Sequence, residues 1–299
     1  MLFPPENCPR IVVKIGSALL VDAAGGVRRA WLEGIAADIA ERVAAGQQVA
    51  VVSSGAIALG ARRLNLPKGA RASLEDAQAA AATGQIALGH TWAEVLAARG
   101  LTAAQILVTL DDLEDRRRYL NAAATLGRLL QLGVVPIINE NDSVATAEIR
   151  FGDNDRLAAR VAQAAGAQGV VLLSDIDGLY DRNPALPGAL HIARVERIDA
   201  GVAAMADTGS ASGMGSGGMV SKIQAARIAT GAGAALAIAS GRIDRPLSAE
   251  ARHTIFTPEK RKRARKAWLA GRLTAKGAIQ VDAGAAQALA AGRSLLAAG

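Results

Sequence analysis

Short apolar runs rich in β-branched residues alternate with longer helical patterns along most of the chain, and this alternation constrains the fold more than any other feature. The runs predicted as strands cover residues 10–15, 48–52, 104–110, 134–138, 169–173 and, as the final strand, 234–239. The patterns predicted as helices cover residues 30–45, 74–99, 115–132, 155–165 and 221–230, with Gly46 and Gly133 as C-terminal caps of two of them. This order predicts an α/β fold in which a mostly parallel open sheet is covered by helices on both faces.

The composition excludes several classes of protein. Of the 299 residues, 51% are hydrophobic and 20% are charged, which excludes an intrinsically disordered chain. The single cysteine, Cys8, excludes a disulfide framework and a cysteine-based zinc site. The three histidines share no metal-ligand spacing (His90, His191 and His253). We therefore expect a cytoplasmic protein whose chemistry uses neither histidine nor cysteine.

The net charge of +7 lies entirely in one C-terminal stretch, residues 259–276, which holds eight basic residues and one acidic residue. This stretch is either a nucleic-acid-binding segment or a solvated linker, and we favour the linker.

Residues 43–61 are uncharged and long enough to span a bilayer, but their glutamines, serines and glycines predict a strand, a turn and a helix. No membrane association is therefore expected.

Polar loops follow the first two predicted strands, at the edge where open parallel sheets bind ligands. Lys14 interrupts an apolar strand, so it requires a counter-ion, and the adjacent Gly16-Ser17 turn offers backbone amides to an anion. The alternative is a lysine that reaches solvent from the strand end. The Ser53-Ser54-Gly55 turn places hydroxyls and amides where a carboxylate or phosphate could bind, although such residues also form ordinary tight turns.

A third loop, residues 139–155, interleaves asparagines with closely spaced carboxylates. Such carboxylates repel one another unless lysines, metal ions or amino groups neutralise them. We interpret the loop as a recognition site for a substrate amine, with one carboxylate orienting lysines or Mg²⁺. The alternative is a solvated loop in which residues such as Asp153 cap the next helix.

A glycine-rich loop, residues 213–222, ends in Lys222 at the start of a predicted helix. Its glycines fit the dinucleotide-binding pattern, but a polar loop rather than a strand precedes them, and the Gly-Lys-Ser/Thr triplet of a Walker A loop is absent. We interpret it as a loop that brings amides and a lysine to phosphates, and not as a linker. Ser174 and Asp175 follow another strand and could contact a nucleotide.

Taken together, the loops resemble the amino-acid kinase family over residues 11 to the end of the chain. The motifs that carry this resemblance are 12–17, 52–57, 138–148, 152–155 and 213–222. The resemblance implies an αβα sandwich within residues 1–258, with an amino-acid-binding N-terminal half and an ATP-binding C-terminal half. It also implies ATP-dependent phosphorylation of the γ-carboxylate of L-glutamate, the first step of L-proline biosynthesis. Mg²⁺ is expected to arrive mainly with ATP rather than on protein ligands.

The resemblance also implies roles for individual residues. Lys14 and Lys222 would flank the transferring phosphoryl group, and Asp155 would orient both lysines. Ser54, Asp142 and Asn154 would hold glutamate. The residues expected to bind the nucleotide are Lys14, Ser174, Asp175, Ser216, Gly217, Gly218, Met219, Val220, Ser221 and Lys222.

Beyond the kinase domain, residues 259–272 are predicted to form the basic linker, and residues 273–299 resemble the start of a PUA domain, an RNA-binding-type fold. An RNA-binding role is not expected from so short a piece. The resemblance further implies a homo-oligomer, and the labile acyl phosphate product makes glutamyl-phosphate reductase a plausible partner. The alternatives are another carboxylate or amino-acid kinase, an RNA-binding protein, and a ligand-sensing regulator on the same scaffold.

Overall fold

The computed structural model describes residues 1–22, 25–70, 72–144, 154–207, 218–258 and 280–290. The strands are β1 (Arg10–Ile15), β2 (Gln48–Ser53), β3 (Ala103–Val108), β4 (Val135–Glu140), β5 (Gly169–Ser174), β6 (Leu179–Tyr180), β7 (His191–Ile192), β8 (Arg194–Val195), β9 (Ala235–Ser240) and β10 (His253–Phe256). The helices are α1 (Ser17–Leu20), α2 (Arg29–Ala44), α3 (Ala56–Arg63), α4 (Leu74–Ala97), α5 (Leu110–Glu114), α6 (Arg116–Gln131), α7 (Asn154–Ala165), α8 (Ala200–Asp207), α9 (Met219–Gly231) and α10 (Ala283–Ala290). A short 3₁₀ helix spans Pro67–Ala70.

Eight of these strands form one sheet in the order β3-β4-β2-β1-β5-β9-β10-β8. The pairs from β3 to β9 are parallel, whereas β10 runs antiparallel to β9. Strand β1 is central, and Lys14 pairs in register with Val52 of β2 and Leu172 of β5. The carboxyl ends of β1, β2, β4, β5 and β9 therefore meet at one edge of the sheet. The predicted α/β fold with a mostly parallel sheet is confirmed.

Helices cover the two faces of the sheet and enclose two cores. Alternate residues of a strand point to opposite faces. Val13 of β1 belongs to the core beneath α2 and α4, which includes Trp92. Val12 belongs to the opposite core beneath α7 and α9, which includes Leu157. Lys14 has the parity of Val12, so its side chain faces α7 and α9.

Helices α3 and α4 cross at two glycines, Gly60 and Gly84. A Cβ atom at Gly60 would overlap the carbonyl oxygen of Ala80, and one at Gly84 would overlap that of Ala56. Only glycine permits so close an approach of two helix backbones. Because α3 begins at Ala56, directly after the Ser53-Ser54-Gly55 turn, this crossing fixes the loop that follows β2.

Two of the strand predictions need correction, beyond shifts of one or two residues at the ends of other elements. The strand predicted over 104–110 ends at Val108, because Thr109 starts α5 with a capping box in which its hydroxyl accepts from the Asp112 N–H and its own N–H donates to Asp112. The prediction that 234–239 holds the final strand was wrong, since β10 follows it along the chain.

Two C-terminal predictions concern residues that lie mostly outside the described part of the chain. The basic linker 259–272 is not described, and within 273–299 only residues 280–290 are, where α10 lies. The linker and the PUA-like segment stay predictions. Among the residues described, no helix combines the length and the apolar character that a membrane span requires.

Candidate active site

Two lysines and one aspartate form a buried ion cluster at the carboxyl edge of the sheet. Lys14 Nζ lies 2.7 Å from Asp155 Oδ1, and Lys222 Nζ lies 2.9 Å from Asp155 Oδ2. Lys14 is 7% exposed, Asp155 1% and Lys222 5%. We call them the lysine–aspartate cluster. All three were predicted as catalytic residues, and the structure brings them together.

Each member of the cluster comes from a different element. Lys14 is the last residue but one of β1, Asp155 lies in the first turn of α7, and Lys222 lies in the first turn of α9. The strand alternation that turns Lys14 toward α7 and α9 therefore delivers it to both partners. The cluster also occupies the N-terminal ends of two helices, where the helix dipole favours an anion.

The cluster has an excess of one positive charge in a buried place. Burial by itself raises the pKa of the Asp155 carboxyl, but the ammonium groups of Lys14 and Lys222 outweigh burial and hold that pKa below its ordinary value. Asp155 is therefore ionised at neutral pH. Because the cluster sets two ammonium groups around one carboxylate at the N-terminal ends of two helices, this position is suited to an anionic ligand such as a phosphoryl group.

A second polar group lies where the loops after β1, β2 and β4 meet. Asn154 Nδ2 donates to Ser54 Oγ at 2.7 Å and to Asn139 Oδ1 at 3.0 Å. The Ser54 N–H donates to the carbonyl oxygen of Ile15 at 3.1 Å. Two of the three predicted substrate-binding residues, Ser54 and Asn154, are thus in direct contact, and Asn154 adjoins Asp155 of the lysine–aspartate cluster.

Asp142, the third predicted substrate-binding residue, lies just beyond the end of β4. The residue is 7% exposed, and its Oδ1 has no hydrogen-bond partner within the described part of the chain. Burial raises the pKa of this carboxyl to about 6. A buried carboxylate oxygen without a donor is suited to receive one from a ligand, and an ammonium group would also restore its charge.

The predicted nucleotide-binding residues surround the ends of β5 and α9. Ser174 Oγ donates to Asp175 Oδ1 at 3.0 Å, and Asp175 lies 4.0 Å from Arg242 Nη2. Gly218 precedes α9 in an extended conformation and provides no side-chain cap. Met219, Val220 and Ser221 form the first turn of α9 with Lys222, whereas Ser216 and Gly217 lie outside the described residues.

Sequence reasoning did not assign a role to two side chains that support this site. Asn139 is buried within β4, and its Oδ1 accepts a hydrogen bond from Asn154 Nδ2. A polar residue in so apolar a strand could have indicated a role in the site. Trp92 of α4 donates its indole N–H to Ser53 Oγ at 2.9 Å. No pattern in the sequence indicates that second contact.

The described residues contain no group of three or more histidine, cysteine, aspartate or glutamate side chains arranged to hold a metal ion. Both oxygens of Asp155 face lysines rather than open space. Within the described part of the chain, the donor set therefore does not form a dedicated divalent-cation site.

Comparison with known proteins supports the interpretation of this geometry. Residues 9–240 match the sequence model of the amino acid kinase family. Solved structures with the same fold include the UMP kinase of Ureaplasma parvum, at 18% identity and a TM-score of 0.55, covering 83% of this chain and 98% of that one. They also include the carbamate kinase of Giardia lamblia, solved bound to AMP-PNP, at 16% identity and a TM-score of 0.58, covering 84% of this chain and 99% of that one. The chain belongs to the amino acid kinase family.

Three relatives that align with nearly the whole of this chain share one name. The glutamate 5-kinase of Sphingopyxis alaskensis is 80% identical over 298 residues, an alignment that covers 100% of this chain and 81% of the relative. The glutamate 5-kinase of Zymomonas mobilis is 64% identical over 302 residues, covering 100% of this chain and 76% of the relative. The glutamate 5-kinase of Novosphingobium aromaticivorans is 66% identical over 297 residues, covering 98% and 79%.

Proposed function

We propose that this protein transfers the γ-phosphoryl group of ATP to the γ-carboxylate of L-glutamate, forming L-glutamyl 5-phosphate in the first step of L-proline biosynthesis. The observation that carries the proposal is the lysine–aspartate cluster, in which one buried carboxylate holds two ammonium groups. The relatives named glutamate 5-kinase, at up to 80% identity over the whole chain, support the choice of substrate.

The reaction needs no general base, because the attacking γ-carboxylate is already ionised at pH 7. The barrier lies in bringing two anions together and in the charge that spreads over the transferred phosphoryl group. In our proposal, Lys14 and Lys222 supply positive charge on either side of that group. Asp155 keeps both ammonium groups at a fixed separation and does not itself touch the substrate.

The acceptor would be held at the loops after β2 and β4. Ser54 and Asn154 would bind the polar groups of glutamate, and the buried Asp142 carboxylate would accept a hydrogen bond from its α-ammonium. An ammonium beside Asp142 favours the ionised carboxylate, so binding and ionisation support each other. This arrangement selects an acceptor that carries both an amino group and a carboxylate.

The nucleotide would lie against the ends of β5 and α9. Ser174 and Asp175 would contact it, residues 216–221 would wrap its phosphates with backbone amides, and Lys14 and Lys222 would contact the phosphates directly. Mg²⁺ would neutralise phosphate oxygens when bound. We propose that the phosphates of ATP would carry it.

We further propose a cytoplasmic homo-oligomer with residues 1–258 as the catalytic domain, its N-terminal half binding glutamate and its C-terminal half binding ATP. An acyl phosphate hydrolyses readily, so a glutamyl-phosphate reductase is the expected functional partner. The resemblance to the amino-acid kinase family supports each of these assignments.

Trapping of the acyl phosphate with hydroxylamine tests the proposed function. The purified chain is incubated with ATP, Mg²⁺ and one of four acceptor conditions: L-glutamate, L-aspartate, N-acetyl-L-glutamate or no acceptor. We expect hydroxamate with L-glutamate alone. Hydroxamate with a different acceptor would retain the phosphate site but overturn the assignment of Asp142 and its neighbours. No hydroxamate with any acceptor, from folded protein, would reject kinase activity and favour a ligand-sensing regulator.

A further inference from the structure

A chain of side-chain amides runs from the edge of the sheet to the proposed acceptor site. Gln85 Nε2 of α4 donates to Gln105 Oε1 of β3 at 3.4 Å, and Asn139 Nδ2 of β4 donates to Gln85 Oε1 at 2.9 Å. Asn154 Nδ2 then donates to Asn139 Oδ1 at 3.0 Å and to Ser54 Oγ at 2.7 Å. We call these five residues the amide relay.

We propose that Gln85 is a positioning residue that makes the acceptor site select an amino group, by fixing which end of the Asn154 side chain faces the substrate. This inference rests on the proposed function, because it concerns recognition of the same acceptor. It adds a residue of α4 that sequence reasoning did not single out.

The relay has a direction because every side-chain amide has a donor end and an acceptor end. The Gln85 oxygen accepts from Asn139, so the Asn139 nitrogen must face Gln85 and its oxygen must face Asn154. That oxygen in turn requires the Asn154 nitrogen. The orientation of each amide is therefore set by its predecessor, and Gln85 sets the orientation of both asparagines.

The orientation of the relay determines which atom of Asn154 is left to contact the substrate. Both Nδ2 hydrogens of Asn154 are used, by Asn139 and by Ser54, and its Oδ1 is buried without a hydrogen-bond partner in the described part of the chain. Asn154 therefore offers only an acceptor, and Asp142 Oδ1 is a second buried acceptor that has no donor among the described residues. Two such acceptors suit an ammonium group. Ser54, whose oxygen already accepts, can direct its own proton to a carboxylate.

Burial and the close contact between α3 and α4 hold Gln85 in place. It is 8% exposed and lies on the same helix as Gly84, whose backbone contacts α3. The lack of a side chain at Gly89 leaves room for Gln105, since a Cβ there would lie 2.6 Å from Gln105 Oε1. Without the Gln85 oxygen, Asn139 is free to turn over and present its nitrogen to Asn154. Asn154 would then turn its own nitrogen toward the substrate and oppose an ammonium.

Steady-state kinetics of matched variants test this inference. Gln85→Leu and Gln85→Met remove the acceptor for Asn139, whereas Gln85→Glu retains one. Gln48→Leu is the control, because Gln48 accepts from Arg10 at the opposite end of the sheet and its loss affects stability only. For each variant, the KM for L-glutamate, the KM for ATP, kcat, Tm and the inhibition constant of glutarate, which lacks the amino group, are measured.

We expect Gln85→Leu and Gln85→Met to raise the KM for L-glutamate about tenfold, the effect of one buried hydrogen bond left unmade. The KM for ATP and the inhibition constant of glutarate should stay within about twofold, and Gln85→Glu should restore most of the lost affinity. Equal weakening of glutamate and glutarate, or a Gln85→Glu variant as impaired as Gln85→Leu, would overturn the inference. If Gln85→Leu does not fold, Gln85→Met and Gln85→Glu provide the same comparison. Absence of wild-type hydroxamate would instead reject the proposed function itself.

Discussion

The carboxylate of Asp155 lies 2.7 Å from the Lys14 ammonium through one oxygen, and its second oxygen faces Lys222 at 2.9 Å. One buried anion thus fixes the spacing of two cations that come from the first and the second half of the chain. The gap between the cations would hold the transferred group in the proposed reaction.

Lys222→Ala should lower kcat by about two to three orders of magnitude, because a preorganised donor to the transition state contributes roughly 3 kcal/mol. Single-turnover hydroxamate formation would measure the loss. Arg227→Ala is the matched control, since Arg227 is an exposed cation on the same helix and should leave kcat unchanged. A wild-type rate for Lys222→Ala would contradict the assigned role.

Asp155→Asn should destabilise the protein by about 3–5 kcal/mol, because it leaves two buried ammonium groups without their carboxylate. The Lys14 and Lys222 ammonium groups hold the pKa of Asp155 below its ordinary value. The ionised carboxylate therefore stabilises the fold above pH ~4, the pKa of an aspartate in the unfolded chain. This stabilisation is lost as the pH falls through the lower pKa of the folded state. Urea unfolding at several pH values would measure the free energy. The difference between wild type and variant should be largest near pH 7 and should shrink below pH ~4. A difference that does not change with pH would show that the aspartate does not act through its charge.

The KM for L-glutamate should rise about tenfold from pH 8 to pH 5, because the buried Asp142 has a pKa raised to about 6 and loses its charge over this range. A neutral carboxyl no longer attracts the α-ammonium of the substrate. The hydroxamate assay at saturating ATP would give the profile. In Asp142→Asn the KM should be high at pH 8 and nearly independent of pH, and a profile like that of the wild type would assign the titration to another group.

Gly84→Ala should destabilise the fold by about 1–3 kcal/mol, because the added Cβ meets the backbone of α3 and cannot be accommodated by a rotamer change. A fall in Tm of several degrees by calorimetry is expected. Gly127→Ala on α6 is the matched control, since no atom lies within 4 Å of its added Cβ, and it should be neutral or slightly stabilising. Equal Tm changes in the two variants would remove the argument for a close helix crossing.

Much of the fold follows from local sequence signals. The buried parallel strands β1 and β5 are mostly apolar runs followed by a polar residue or a glycine, so their limits could be predicted to within one residue. Lys14 could be predicted because a lysine in such a run requires a partner. The antiparallel strand β10 could not, since it has four residues and is recognised only through its pairing with β9.

The candidate site also has residues that the sequence could indicate and a contact that it could not. Ser54, Asp142, Asn154 and Asp155 follow strands or begin helices, where the sequence pattern draws attention to polar residues. The contact between Gln85 and Asn139 joins α4 to β4 and depends on how closely α4 packs on the sheet. The two residues are 54 positions apart in the sequence, so no local pattern could predict the pairing.

Strand β1 is synthesised first, yet it lies between β2 and β5, and β5 follows it along the chain only after three further strands and the helices between them. The centre of the sheet therefore closes through contacts between distant parts of the chain, which slows folding. A nascent chain that has left the ribosome only through α7 has Lys14 and Asp155 but no Lys222. The lysine–aspartate cluster therefore cannot be complete before α9 has emerged, and β9, which pairs with β5, emerges later still.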